Sequence, residues 1–190
     1  MIEKAPYTVA TFELIPTPSD VMISGELDEI VLQRLHDCIE IEAPITRALL
    51  LKRVINSFDI HKVGWRVNQY FDRMLGTFDS QLVVEMGVPV YHSANEKKDC
   101  FRPGTKDIRF SHQIPPSEAA YAIVSVLERV RRKLRRKALY PLFYRELGYM
   151  KSGSDLDDLF SKSLKWAFQN GLIKRVQTST YYVERDSSPA

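Results

Sequence analysis

Cysteine is scarce in this sequence. Among 190 residues only Cys38 and Cys100 occur. They sit in no paired motif, which points away from a disulfide framework and toward free, inert thiols in a reducing cytoplasm. No apolar run reaches the length of a membrane span, so no membrane partner is expected. The opening MIEKAPYTVATFEL lacks the continuous apolar stretch of a signal peptide. The four histidines, His36, His61, His92 and His112, are scattered without ligand spacing. There is no phosphate-binding loop of the Gly-x-x-x-x-Gly-Lys type and no nucleophile elbow. Asp155, Asp157 and Asp158 cluster, but at a predicted helix start, where capping and the helix dipole account for carboxylates. The chain is therefore read as non-catalytic, with no cofactor and no metal.

A globular core is available, since 44% of the residues are hydrophobic. The net charge of +3 conceals an asymmetry. Residues 1–95 carry eight Lys/Arg against thirteen Asp/Glu, a net of −5, and residues 96–190 carry nineteen against eleven, a net of +8. A polyanion would be met mainly by the second half.

Hydrophobic periodicity predicts helices over 27–40, 46–58 (with Thr46 as N-cap) and 65–77, followed by a hairpin in QLVVEMGVPVYH around Met86-Gly87. The same order follows again. Helices are predicted over 116–131 (Ser117 as cap), 136–147 and 155–170 (Ser154 as cap, Gly171 as stop), then a hairpin in LIKRVQTSTYYVE. With a shift of 89 residues, Asp59 falls on Gly148, Gly64 on Gly153, Val67 on Leu156, Phe71 on Phe160 and Leu75 on Leu164. Three helices and a two-stranded wing make the winged-helix plan, an elaborated helix-turn-helix. The expected class is mainly α with small β-hairpins (α+β), as tandem winged-helix units. Residues 1–25 form a lead-in with one strand over Tyr7, Val9 and Ala10/Phe12. The first unit spans 26–92, a polar linker 93–115 with a short strand at 107–111, and the second unit 116–186.

IEAPITRALLLKRVINSFDIHKVGWRV, residues 41–67, carries an acidic-Ala-Pro helix start and then Lys62-Val63-Gly64-Trp65-Arg66-Val67, a basic-x-Gly-x-Arg-aliphatic turn. IPPSEAAYAI, residues 114–123, resembles an Ile-Pro-x-Glu-x-x-x-Ala opening. In these motifs the chain resembles the domain-of-unknown-function 3320 family, the C-terminal region of large bacterial proteins similar to superfamily-one DNA helicases, often preceded by a small endonuclease-like domain. It departs from the family pattern at Asp59, where glycine is usual, and in its more basic residues 129–137. The resemblance implies a fragment of a longer protein whose helicase and nuclease chemistry lies outside this chain.

The third helix of a helix-turn-helix enters the major groove. Its outward residues in the first unit are Arg66, Asn68, Gln69, Asp72 and Arg73, with Lys62 in the turn before. Arginine, asparagine and glutamine present forked groups that match guanine and adenine edges. Such residues also make an ordinary solvated face. The second unit's third helix opens with three aspartates that would repel phosphate. The strongest charge signal is RVRRKLRRK, residues 129–137, with seven basic residues in nine positions. As one continuous helix over 116–137, it would place Arg131, Arg132 and Arg135 on a stripe beside Arg136, with Val126, Val130 and Leu134 inward and only Glu128 near enough to neutralise it. That stripe would hold phosphates without reading sequence. A solubilising face is the plainer reading of a charge run. Trp65, Trp166, Tyr140, Phe143 and Tyr144 are read first as packing residues. DNA is the expected partner, with helicase or nuclease domains of a parent chain as further partners. The rival reading is a protein–protein docking scaffold. A free-standing transcription regulator is weaker, because no dimerisation helix or ligand pocket is evident.

Overall fold

The structure, a computed structural model, describes residues 2–104, 108–177 and 179–184. It is a mixed α/β protein with small sheets. In chain order come β1 (Glu3–Lys4), α1 (Ser19–Ile23), α2 (Asp28–Glu42), β2 (Ile45–Thr46), α3 (Arg47–Asn56), α4 (Trp65–Leu75), β3 (Leu82–Glu85) and β4 (Val88–Tyr91). Then follow β5 (Cys100–Phe101), α5 (Pro116–Val130), β6 (Leu134–Arg135), α6 (Arg136–Glu146), α7 (Ser154–Gln169), β7 (Lys174–Val176) and β8 (Thr180–Tyr182). These elements belong to two compact units. The amino-terminal unit comprises Thr8–Val84 and Pro89–Glu96, and the carboxy-terminal unit Met1–Tyr7, Glu85–Val88 and Lys97–Ala190.

In the amino-terminal unit, Thr46 caps α3 as expected, its hydroxyl oxygen accepting the Leu49 N–H at 3.4 Å. The apolar stripe of α4 (Val67, Tyr70, Phe71, Met74 and Leu75) is buried, as are Leu35, Ile39, Leu50, Val54 and Phe58 from α2, α3 and the turn beyond α3. Strands β3 and β4 are joined by Met86 and Gly87, which count with the carboxy-terminal unit; both have positive φ (50° and 81°), the geometry of a tight two-residue hairpin loop. A third strand, β2, pairs antiparallel with β4 through Ile45–Tyr91 and Thr46–Val90. Hydrophobic periodicity holds no sign of this two-residue strand.

The carboxy-terminal unit holds the sheet β6-β8-β7, with Leu134 opposite Tyr181 and Arg135 opposite Thr180. Helix α5 packs most extensively on α7, around Ile123, Leu127, Phe143, Phe160 and Leu164. β1 and β5 pair in parallel, Glu3 with Cys100 and Lys4 with Phe101. Residues 97–104 and 108–115 lie within this unit, and Arg102 and Arg109 are buried.

Element starts recur at the expected offset: β2 and β6 at 45 and 134, α3 and α6 at 47 and 136, α4 and α7 at 65 and 154. Finer details recur too. Asp59 and Gly148 both have positive φ, 59° and 94°. Beside them the Ile60 N–H reaches the Ile55 carbonyl at 3.4 Å, and the Tyr149 N–H reaches the Tyr144 carbonyl at 2.8 Å. Gly64 and Gly153 are the extended N-caps of α4 and α7.

Several expectations need correction. Ser154 is the first residue of α7 and Gly153 its cap. Ser117 lies inside α5 behind Pro115 and Pro116, and its buried hydroxyl has no hydrogen-bond partner among the described residues. Its backbone N–H instead donates to Glu85 Oε2 at 2.8 Å, a carboxylate at the positive end of the helix. No strand forms over residues 7–12; Ala10 donates its N–H to the buried Glu42 carboxylate at 2.9 Å. Of the strand expected at 107–111, Asp107 lies outside the described residues. The remainder runs into a 3-10 turn at Ser111–Gln113.

Candidate nucleic-acid interface

Helix α4 starts where Gly64 takes an extended conformation and accepts the Asn68 N–H at 3.1 Å. With its apolar stripe inward, the helix presents two exposed flanks. Arg66, Gln69 and Arg73 share one at i, i+3 and i+7; Trp65, Asn68 and Asp72 share the other. Lys62 is exposed in the preceding turn. Among the described residues, the side chains of Lys62, Arg66, Asn68 and Gln69 have no partner.

Arg73 is committed differently. Its guanidinium lies 3.3 Å from Asp28 Oδ2 and 5.3 Å over the Tyr70 ring. The Tyr70 hydroxyl donates to Asp28 Oδ1 at 2.7 Å. Burial and that carboxylate push the Tyr70 hydroxyl up, so it stays a donor. Asp72 pairs with Arg47. Trp65, read first as a packing residue, is 69% exposed, which overturns packing for it. Trp166, Tyr140 and Tyr144 pack against the core of their unit, and Phe143 is fully buried.

The basic run 129–137 is not a continuous helix. Helix α5 ends at Val130, and Arg131 takes the left-handed conformation (φ 56°) with its N–H on the Leu127 carbonyl at 3.0 Å. Leu134, 5% exposed, enters β6 against β8, and α6 begins at Arg136. The stripe that a continuous helix would make is thereby replaced by a basic turn, a strand and a helix start, in line with the separate helices predicted over 116–131 and 136–147. Strand pairing decided this: it buries Leu134 and gives its backbone a ladder partner, which an exposed helical extension would not.

The seven cations of the run divide by partner. Arg129 pairs with Glu146 Oε2 at 2.6 Å. Glu128, expected to neutralise the run, instead accepts the Ile2 N–H at 3.2 Å. Lys133 lies 5.0 Å over the Tyr182 ring and Arg136 lies 4.9 Å over Phe160. Arg131, Arg132, Arg135 and Lys137 have no side-chain partner among the described residues and are exposed. Repulsion within the turn is partly offset by the negative C-terminal end of α5.

At positions matched by the offset of 89, the second unit carries more uncompensated positive charge than the first. Arg47 and Arg136 both open a helix and reach the same position on the following helix. Arg47 meets Asp72, whereas Arg136 donates to the neutral Ser161 hydroxyl at 2.6 Å. The capping Thr46 is replaced by Arg135, and α6 has neither a side-chain cap nor an acidic residue in its first turn. At the start of α7, Asp155 meets His112 at 3.2 Å and Asp158 meets Lys162 at 2.7 Å.

Sequence reasoning missed a buried charge cluster in the carboxy-terminal unit. Glu118 accepts the Arg102 N–H at 2.9 Å, Arg102 Nε at 3.1 Å and Nη2 at 2.7 Å, Arg109 Nη1 at 2.9 Å, and a further bond from Arg109 Nη2. Both guanidiniums stack on Tyr7, at 4.8 and 4.2 Å. Burial alone would push the Glu118 carboxyl up; Arg109 and Arg102 outweigh it and hold it at about 2. Cys38 and Cys100 are free and buried, and burial pushes both thiols up. No group of His, Cys, Asp and Glu among the described residues could hold a metal ion. No helix among them is long and apolar enough to cross a membrane. No family model matches the chain significantly, and neither does any curated protein or solved structure.

Proposed function

We propose that the chain is a tandem winged-helix module that binds DNA without catalysing a reaction, as an accessory part of a helicase- or nuclease-like protein of the kind its 41–67 and 114–123 motifs resemble. The order helix, strand, helix, helix, hairpin, twice over at one offset, supports the winged-helix reading. The observation that carries the function is the partnerless set Lys62, Arg66, Asn68 and Gln69 on the outer face of α4 and the turn before it. Polar side chains that make no bond among the described residues are available to base edges and phosphates. In the second unit, phosphate is held by the basic turn and helix start, with Arg131, Arg132, Arg135 and Arg136 as positioning contacts. The aspartates of α7 keep that helix out of a groove.

A docking scaffold is the second reading. Trp65 (69% exposed), Val84 (65%), Val83 (49%) and Val63 (44%) are its specific support, since they expose apolar area within the amino-terminal unit. Fluorescence-anisotropy titration of labelled duplex decides between the two. The triple variant Arg66→Ala/Asn68→Ala/Gln69→Ala weakens binding and flattens discrimination between sequences if α4 reads DNA. Unchanged affinity in a folded triple variant removes α4 from the interface. Failure of wild type to bind at low salt favours docking.

A further inference from the structure

Beside the basic turn lies an open groove of about 1050 Å3 in the carboxy-terminal unit. One wall is the last turn of α5 and the residues after it: Arg129, Arg131, Arg132 and Lys133. The other is the end of β8, with Tyr182 and Val183. Its apolar surface comes from Ile2, Leu127 and Val183. Two carboxylates also line it, and both are engaged: Glu128 by the Ile2 N–H, and Glu184 by Lys174 at 3.5 Å. Of the four cations Arg129 is paired with Glu146 and Lys133 lies over Tyr182, so Arg131 and Arg132 supply the uncommitted positive charge of the groove.

We propose that this groove takes a single-stranded nucleic acid, a proposal that rests on the nucleic-acid reading above and names the strand form for this site. Two features together select the occupant. Arg131 and Arg132 are partnerless cations at the rim, suited to phosphate oxygens. Tyr182 lines the groove with its ring, over which the Lys133 ammonium lies at 5.0 Å, and a base stacking there takes the place of that flexible side chain. A duplex keeps its base faces stacked inside and would use only the arginines. A single strand exposes base faces, which stack on tyrosine and on apolar walls regardless of sequence. An acidic peptide would satisfy the arginines but would leave the aromatic face unused.

Arg131 holds its place in the groove wall at a conformational cost. A left-handed φ of 56° at a helix C-terminus favours glycine, yet the position holds an arginine with no side-chain partner among the described residues.

The test compares a labelled oligothymidylate of about 12 nucleotides, a duplex of the same length and polyglutamate. The proteins are wild type, Tyr182→Leu and Arg131→Gly/Arg132→Ala, each checked for a native circular-dichroism spectrum. Tyr182→Leu is expected to lower the single-strand to duplex preference at least about fivefold, the loss of one stacked base. Arg131→Gly/Arg132→Ala is expected to flatten the single-strand salt slope by about 1.4, two phosphates at ~0.7 each. If Tyr182→Leu leaves the preference unchanged while wild type binds duplex with a steep salt slope, the groove proposal falls and the nucleic-acid reading stands. If wild type binds neither nucleic acid, or only polyglutamate, both fall.

Discussion

Replacing Glu118 with glutamine removes one negative charge from between two buried guanidiniums. Its side chain is 1% exposed, and those of Arg102 and Arg109 are 9% and 0% exposed. The amide would keep the volume and some hydrogen bonds but leave two cations without a counter-charge. A carboxyl held at about 2 instead of its ordinary 4.5 contributes about 3 kcal/mol at neutral pH, taking ~1.4 kcal/mol per pH unit. That agrees with the ~3–5 kcal/mol lost when one partner of a buried ion pair is removed. It is a large share of the ~5–15 kcal/mol that holds a domain together. In urea, with a slope of ~2 kcal/mol per molar, the midpoint falls by about 1.5 M. Trp166 packs on the same unit's core and reports its unfolding by fluorescence in a Trp65→Phe background. The pH dependence is the sharper test. The folded-state carboxyl is depressed, so its contribution is full above pH ~4.5 and disappears as pH falls toward 2. Wild type and variant therefore converge near pH 2. A gap of the same size at neutral and at strongly acidic pH, or no gap at neutral pH, would refute the role assigned to this cluster.

Other substitutions probe single contacts. Thr46→Ala removes the cap of α3 and is expected to cost about 1 kcal/mol in urea unfolding of the amino-terminal unit. Arg131→Gly relieves a left-handed conformation and is expected to raise stability by ~0.5–1 kcal/mol while weakening nucleic-acid binding; a loss of stability would contradict the strain assigned there. Asp59→Gly is expected to stabilise similarly, since the equivalent position already carries Gly148; thermal melting reads the shift. Both thiols should react slowly with a disulfide reagent in the native protein and rapidly in urea, because burial disfavours their thiolates.

Much of the helical framework was legible because burial imposes period. The stripe Val67, Tyr70, Phe71, Met74 and Leu75 fits only one face of a helix, and Met86-Gly87 between two β-branched runs fits a tight hairpin turn. The short strands β2 and β6 were not legible. Two residues have no period, and their pairing to β4 and β8 is set by partners more than 40 positions away. For the same reason a continuous helix over 116–137 stayed open beside the two helices predicted over 116–131 and 136–147. Val126, Val130 and Leu134 at i, i+4 and i+8 fit a helical core stripe equally well, and only pairing with Tyr181 selects the strand. The buried ions failed differently. Arg102 and Arg109 stand in a polar stretch, where charge ordinarily signals exposure; nothing local reveals that Glu118, sixteen and nine residues away, will be enclosed with them. For the candidate site, the residue types on α4 were readable from spacing. Their freedom from internal partners, and the engagement of Arg73 and Arg136, required the structure.

The most direct test is the salt dependence of duplex binding by the wild-type chain. Six cations of the two candidate surfaces have no side-chain partner among the described residues (Lys62, Arg66, Arg131, Arg132, Arg135 and Lys137) and scale the number of phosphates those surfaces neutralise. At ~0.9 per phosphate, log K against log salt is predicted to fall with a slope between about −3 and −5. A slope near zero, or no binding by folded protein at low salt, would contradict the account.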